Sequence, residues 1–175
     1  MIKIRYGIDP GKTGFICEWC ESRGTFDFYD IPKIGNEVDV RELNSFLKNR
    51  FAENGDYSIH CVIENVHAVF GSSAKGTFEF GKIVGVLEAL LVANDIPFTK
   101  VQPKKWQKEM WEGIPMQKKP SSTGKTMNTD TKKMSLMAAK RLFPNIDLRK
   151  SKRATNPDHN KVDALLMCEY CRRNF

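Results

Sequence analysis

The sequence of 175 residues lacks any apolar run long enough to cross a bilayer. It also lacks a signal-peptide pattern, because Lys3 and Arg5 interrupt the first apolar residues. We therefore expect a cytoplasmic protein with no membrane partner. With 41% hydrophobic and 28% charged residues, the chain has an ordinary globular composition. This length and composition predict a single domain over 1–175 with a substantial core.

Acidic residues are in the minority, with 21 Asp and Glu against 28 Lys and Arg. The resulting formal net charge of +7 favours a polyanionic partner, because cations along a protein face release counterions from phosphate. Basic charge alone does not identify that partner, since many basic proteins bind no anion specifically.

The sequence has an odd number of cysteines, five, which argues against a disulfide framework. Four of them form two CxxC pairs, Cys17 with Cys20 and Cys168 with Cys171, which together could bind zinc. The alternative is that they are small buried thiols. The first pair falls on a predicted strand, where residues three apart point to opposite faces, and no Gly-rich knuckle surrounds it. Buried thiols fit this geometry better.

The hydrophobic pattern predicts an α/β fold built on a five-stranded mixed sheet flanked by helices. Three N-terminal strands form an antiparallel meander, and two later strands run parallel within the same sheet. The predicted strands are 2–8, 14–19, 25–29, 60–66 and 96–101, and the predicted helices are 38–51, 78–94, 102–108, 131–143 and 162 onward. Between the third and fourth of these helices, residues 113–129 are predicted to form a flexible basic loop.

Three carboxylates hold comparable positions in separate parts of the chain. Asp9 follows the first strand, Glu64 ends the predicted central strand, and Asp163 lies early in the last helix. A turn cap at Asp9 or a buried salt bridge at Glu64 would also explain these residues one at a time. If the three converge, they repel one another unless divalent cations bind. Two hard cations about 4 Å apart on oxygen ligands are suited to in-line phosphodiester cleavage.

The residues just before Asp163 are also polar. His159 lies four positions earlier and so on about the same helical face, and Asn160 lies near that face. Asp158 points further away. Either Asp158 or Asn160 could instead cap the helix.

Segments 7–11, 63–66 and 158–165 resemble the three acidic motifs of RuvC-type Holliday junction resolvases. The RuvC-like nucleases of bacteriophages are more similar still, because 78–81, 101–106 and 141–144 resemble the segments between their motifs. The similarity covers about 1–171. It implies an RNase H-like fold, a homodimer, and paired nicks across a four-way DNA junction. It also implies two Mg²⁺ or Mn²⁺ ions per active site, and a phage-encoded protein acting in the host cytoplasm.

The resemblance assigns roles to particular residues. Asp9, Glu64 and Asp163 are implied metal ligands. A second acidic residue often stands in the family where this chain has Asn160, so Asn160 or His159 is the expected fourth ligand, with Asp158 as a less favoured substitute. The implied DNA-contacting residues are Phe70 or His67 as a wedge at the junction centre, Lys132 at the scissile phosphate, and Lys105, Lys108, Lys118 and Lys119 on the backbone.

Other interpretations stay open. A less selective branched-DNA, flap or RNA nuclease would keep the same acids, and a non-catalytic DNA-binding module would keep the fold. Trp106, beside Lys105, could stack on a base or lie in the core. The segment 7–14 also resembles the phosphate loop of actin-like ATPases, but those folds need a second domain and a second loop, for which 175 residues leave no room.

Overall fold

The computed structural model describes residues 1–11, 13–51, 56–65, 73–121 and 123–175. Its strands are β1 (Ile2–Ile8), β2 (Phe15–Cys20), β3 (Thr25–Asp30), β4 (Lys33–Ile34), β5 (Glu37–Val38), β6 (Tyr57–Glu64), β7 (Phe98–Val101), β8 (Lys118–Pro120) and β9 (Met127–Thr129). Its helices are α1 (Val40–Phe51), α2 (Ala74–Ala93), α3 (Pro103–Met110), α4 (Thr131–Leu142) and α5 (His159–Asn174).

Five strands form one mixed sheet in the order β3-β2-β1-β6-β7. β1 pairs antiparallel with β2 and parallel with β6, and β6 pairs parallel with β7. The predicted sheet of three antiparallel and two parallel strands is therefore confirmed. β1 lies at its centre, so the residues at its carboxyl end have neighbouring chain on both sides.

The sheet separates two hydrophobic cores. On one face, Tyr6 and Ile8 of β1 pack with residues of α1 and α2. On the other face, Val62 of β6 packs with residues of α3, α4 and α5. Because side chains alternate along a strand, Gly7 faces α5 while its two neighbours face the first core.

Gly7 lets α5 lie directly against β1. A Cβ at this position would sit 2.2 Å from the backbone nitrogen of Cys168 and 2.4 Å from the carbonyl oxygen of Ala164. Any side chain would therefore collide with helix backbone, which cannot move aside as a flexible side chain can. The glycine sets the distance between the central strand and the helix that carries Asp163.

All five cysteines are buried and free. Cys17 lies in the α5 core and Cys20 in the core on the opposite face, as the strand alternation predicts. The thiols of Cys168 and Cys171 donate to the carbonyl oxygens of Arg5 and His60, at 3.2 and 3.3 Å. The two pairs do not converge on one point, and the thiols serve as small core groups.

Two features differ from the sequence-based expectation. The β4–β5 hairpin occupies residues just before α1, which begins at Val40 rather than Val38. The segment 113–129 contains a second hairpin, formed by β8 and β9, where a flexible loop was predicted. In the described ranges, no helix has the length and apolar composition that a membrane crossing requires.

Candidate active site

Asp9 directly follows β1, and Glu64 is the last residue of β6, so the two acids lie at neighbouring ends of two paired parallel strands. Ile8 of β1 is paired with Ile63 of β6, so the next residue on each strand is one of the two acids. The strands are parallel, and both carboxylates therefore lie at the same edge of the sheet. Val62 faces the α5 core, and alternation places Glu64 on that same face.

The turn after β1 fixes Asp9. Its backbone N–H donates to the carbonyl of Phe15 at 3.0 Å, and its Oδ1 accepts from the N–H of Gly11 at 3.2 Å. Gly14 passes so close that a Cβ there would lie 2.0 Å from the Asp9 carbonyl oxygen. The turn-cap interpretation is thus correct for Asp9, and among the described residues the Gly11 amide is the only hydrogen-bond donor to its carboxylate.

Asp163 reaches the same edge from the first turns of α5. The helix begins at His159, and the Asp158 side chain caps it by accepting from the N–H groups of Asn160 and Lys161, at 2.9 and 3.3 Å. The Asn160 amide donates to Thr13 at two oxygens, the carbonyl at 3.0 Å and the hydroxyl at 2.7 Å. These bonds tie the start of α5 to the turn that holds Asp9.

The electrostatics show that the three acids share one environment. Burial raises the pKa of Asp9 to about 7, helped by the charges of Glu64 and Asp158 and opposed by the Gly11 N–H. Burial likewise raises the pKa of Asp163 to about 7, and the charges of Asp9 and Glu64 add to the rise. Three carboxylates from remote segments therefore lie within electrostatic range of one another.

Glu64 has a buried partner that the sequence did not assign to it. Trp106 is fully buried, and its Nε1 donates to Oε1 of Glu64 at 3.0 Å. Burial raises the pKa of Glu64, and this bond opposes the rise. The core interpretation of Trp106 is confirmed, and the base-stacking interpretation is wrong because the ring has no exposed face.

Ser135 of α4 plays the corresponding part for Asp163. Its hydroxyl bonds the carboxylate and lowers the pKa of Asp163 against the effect of burial. Trp111 Nε1 in turn donates to the Ser135 hydroxyl oxygen at 3.3 Å. Lys132, one turn earlier on α4, also lowers the pKa of Asp163 through its charge. Sequence reasoning singled out Lys132 alone, although Ser135 follows it at helical spacing.

The oxygen-rich donor set suits a hard divalent cation. His159 Nδ1 is buried and has no hydrogen-bond partner. Among the described residues, Arg5 Nε is the only other buried side-chain nitrogen or oxygen without one. In the same part of the chain, no three His, Cys, Asp or Glu side chains lie close enough to form a ready-made metal site. The acids are thus electrostatically coupled without forming a closed set of ligands.

The other predicted ligands have structural roles of their own. Asp158 caps α5, as one of the two sequence alternatives stated, and its charge still reaches Asp9. Asn160 holds the β1–β2 turn through its amide nitrogen. The assignment of Asn160 or His159 as a fourth ligand stays a prediction.

The predicted DNA-contacting lysines are exposed. Lys105 and Lys108 lie on α3, and Lys118 and Lys119 on β8. Lys119 is 3.4 Å from the Asp130 carboxylate and so already has a partner. The two wedge candidates, His67 and Phe70, lie outside the described residues.

The sheet order and the flanking helices are those of an α/β protein with the RNase H-like fold. The chain is similar to two structures of RuvC from Thermus thermophilus. One, in complex with a Holliday junction substrate, has a TM-score of 0.53 at 12% identity, covering 99% of this chain and 97% of that one. The other has a TM-score of 0.51 at 15% identity, covering 99% and 96%. The sequence matches no family model and no curated protein.

Proposed function

We propose that this protein is a metal-dependent endonuclease that resolves four-way DNA junctions by paired nicks. The observation that carries the proposal is that Asp9 and Glu64 lie at neighbouring ends of two parallel strands. Asp163, from a third remote segment, lies within electrostatic range of both. Their mutual repulsion and raised pKa values make the site costly unless a cation neutralises it. The shared fold with RuvC and the net charge of +7 support DNA as the substrate.

Mg²⁺ or Mn²⁺, two ions per site, would be held by Asp9, Glu64 and Asp163. The orphaned Nδ1 of His159 supports that side chain as a further ligand. When bound, such ions activate a water and stabilise the charge on the leaving 3′ oxygen. The protein's own part is to bring the three carboxylates into one electrostatic environment, where Trp106 and Ser135 favour the ionised forms of Glu64 and Asp163 against the effect of burial.

Surrounding side chains position this site. Trp106 donates to Glu64 at 3.0 Å and so restricts its rotation, and Ser135 favours the ionised form of Asp163. Lys132 is exposed and close enough to act on Asp163, so its ammonium group would bind a non-bridging oxygen of the scissile phosphate. The exposed lysines of α3 would hold the neighbouring backbone.

Paired nicks require two active sites, and the outer face of α2 supports a homodimer. Phe78 and Val92 are 70% and 65% exposed, which is unusual for large apolar side chains. Gly81 and Gly85 lie between them with open space where a Cβ would be. Two copies of α2 could approach closely along this face. Phe78→Asp should give a monomer by light scattering, with single nicks replacing paired ones.

The function is tested by offering equimolar four-way junction, replication fork, flap and linear duplex in competition, with Mg²⁺ and with EDTA. We expect symmetric nicking of the junction in Mg²⁺ alone. Equal cleavage of all branched substrates would instead identify a less selective branched-DNA nuclease. Preference for RNA would identify an RNA-directed enzyme. Binding of the junction without cleavage, even in Mg²⁺, would identify a DNA-binding module.

A further inference from the structure

The β8–β9 hairpin stands out because its strands are exposed on both faces. The register pairs Lys119 with Asn128 and Pro120 with Met127. Opposite residues of a pair share a face, so these two pairs lie on the two sides of the ribbon, and all four residues are exposed. A two-stranded ribbon with no packed face is marginally stable by itself, which suggests that it meets a partner.

The base of the hairpin is fixed next to the candidate active site. The N–H of Asp130 donates to the Gln117 carbonyl at 2.9 Å, and the N–H of Gln117 donates to the sulfur of Met134 at 3.3 Å. Asp130 is also the N-cap of α4, the helix whose first turns carry Lys132 and Ser135 beside Asp163. The ribbon therefore begins at the end of α4 that carries Lys132 and Ser135.

The chemistry of the ribbon fits DNA. The segment 113–129 contains three lysines and no acidic residue. One face adds apolar groups to this charge, because Met127 is 58% exposed and Met116, beside Thr129, is 60% exposed. Lysines bind phosphates, and flexible apolar side chains contact thymine methyl groups and the edges of stacked bases.

We propose that the β8–β9 hairpin is an arm that enters the major groove of the duplex next to the scissile phosphate. Two strands about 5 Å apart, with their side chains, match a groove about 12 Å wide. Lys118 and Lys125 bind the phosphates that line the groove, and Met127 contacts base edges. The proposal rests on the proposed function, since it takes the scissile phosphate to lie at the acid group.

The test measures binding of a fluorescent four-way junction by anisotropy at several salt concentrations in EDTA. The double variant Lys118→Ala with Lys125→Ala should weaken binding and reduce the salt slope by about 2, about 1 for each lost phosphate contact. Met127→Ser should weaken binding about tenfold with the salt slope unchanged, since it removes buried apolar area and no charge. Dimethyl sulfate should show guanine N7 protection that Met127→Ser weakens.

The β4–β5 hairpin provides matched controls. Lys33 and Ile34 are both exposed there, on a ribbon that packs beside α2 through the contact of Glu37 with Lys82. Lys33→Ala and Ile34→Ser should leave affinity and salt slope unchanged. The arm is refuted if Lys118→Ala with Lys125→Ala and Met127→Ser behave like these controls, or if guanine N7 remains unprotected in the wild-type complex.

These outcomes separate the arm from the proposed function. If the wild-type protein nicks the junction in Mg²⁺ but the arm variants bind like wild type, the nuclease assignment stands and the arm is wrong. If wild type binds without nicking and the arm variants bind more weakly, the groove contact of the hairpin stands. The nuclease assignment is then wrong, and the placement of the arm beside a scissile phosphate is wrong with it.

Discussion

The indole Nε1 of Trp106 donates a hydrogen bond to Oε1 of Glu64 at 3.0 Å, which joins α3 to the end of β6. The indole is fully buried, so no water competes for this bond. Glu64 is thereby oriented from a helix that is distant in sequence. The bond also favours the ionised carboxylate, the form that binds a cation.

Trp106→Phe removes this donor while keeping most of the aromatic volume. A lost hydrogen bond to a charged group is worth about 1.5 to 3 kcal/mol, so we expect nicking to slow about tenfold or more. The matched control is Trp19→Phe, on β2 and away from the acids. Single-turnover nicking by the two variants, at equal folded fraction by circular dichroism, checks this. Equal nicking rates for Trp106→Phe and Trp19→Phe would show that the bond between Trp106 and Glu64 does not contribute to catalysis.

Ser135→Ala removes the hydroxyl that opposes protonation of Asp163. The pKa of Asp163 should rise further above about 7, and the acidic limb of the nicking rate against pH should move to higher pH. Ser22→Ala, in the exposed turn after β2, is the control. If the acidic limb of Ser135→Ala stays at the wild-type pH, protonation of Asp163 does not control the nicking rate.

Gly7→Ala tests the close approach of β1 and α5. The added Cβ would lie 2.2 Å from the Cys168 nitrogen, so strand or helix must shift, at a cost of about 3 kcal/mol or more. On the Phe78→Asp background, which should be monomeric, Gly81→Ala on α2 adds the same atom where nothing lies within 4 Å, and it should stabilise by about 0.5 to 1 kcal/mol. Urea denaturation measures both. Similar stabilities for the two variants would contradict the packing described here.

The acids should make the metal-free protein less stable as the pH rises. The pKa of Asp9 is raised from 3.8 to about 7, so between these values the folded state binds more protons than the unfolded chain. The free energy of unfolding should therefore fall between about pH 4 and pH 7 and then level off. In EDTA at pH 8, Asp9→Asn should exceed wild type in stability by up to about 4 kcal/mol.

Urea denaturation at a series of pH values checks this prediction, with the wild-type protein as the reference. The difference between Asp9→Asn and wild type should shrink toward pH 4, where Asp9 is protonated. Mg²⁺ at pH 8 should stabilise the wild type more than the variant, since the ion binds the folded site. A constant difference across the pH range would show that Asp9 is not in a shared acidic environment.

Much of this architecture was predictable because it depends on local periodicity. The alternation of β1 and the apolar run of β6 are visible in the sequence, and each leads to one of the acids. The parallel pairing of these two strands came instead from the match of the strand order to an RNase H-like sheet. Trp106 could be placed in the core, but its bond to Glu64 joins residues 42 positions apart, and no local pattern encodes it. Ser135 was missed for the same reason.

The two hairpins show a different limit. β4 and β5 have two residues each, too few to show a period of two, although Gly35 provides the left-handed turn between them. β8 and β9 consist mostly of Lys, Pro, Asn and Thr, a composition that indicates a loop. The base of this hairpin is also bonded to α4 through the Gln117 N–H and the sulfur of Met134, a contact that no local pattern encodes.

The most direct test of the central claim is nicking of a synthetic four-way junction by Asp9→Asn in Mg²⁺, with junction binding measured on the same preparation. We expect binding at wild-type affinity or tighter, because one negative charge is removed from the DNA-facing site. We expect nicking to fall at least about a thousandfold, because a ligand of the catalytic ions is lost. Nicking of the junction by Asp9→Asn at the wild-type rate would contradict a metal-binding role for Asp9.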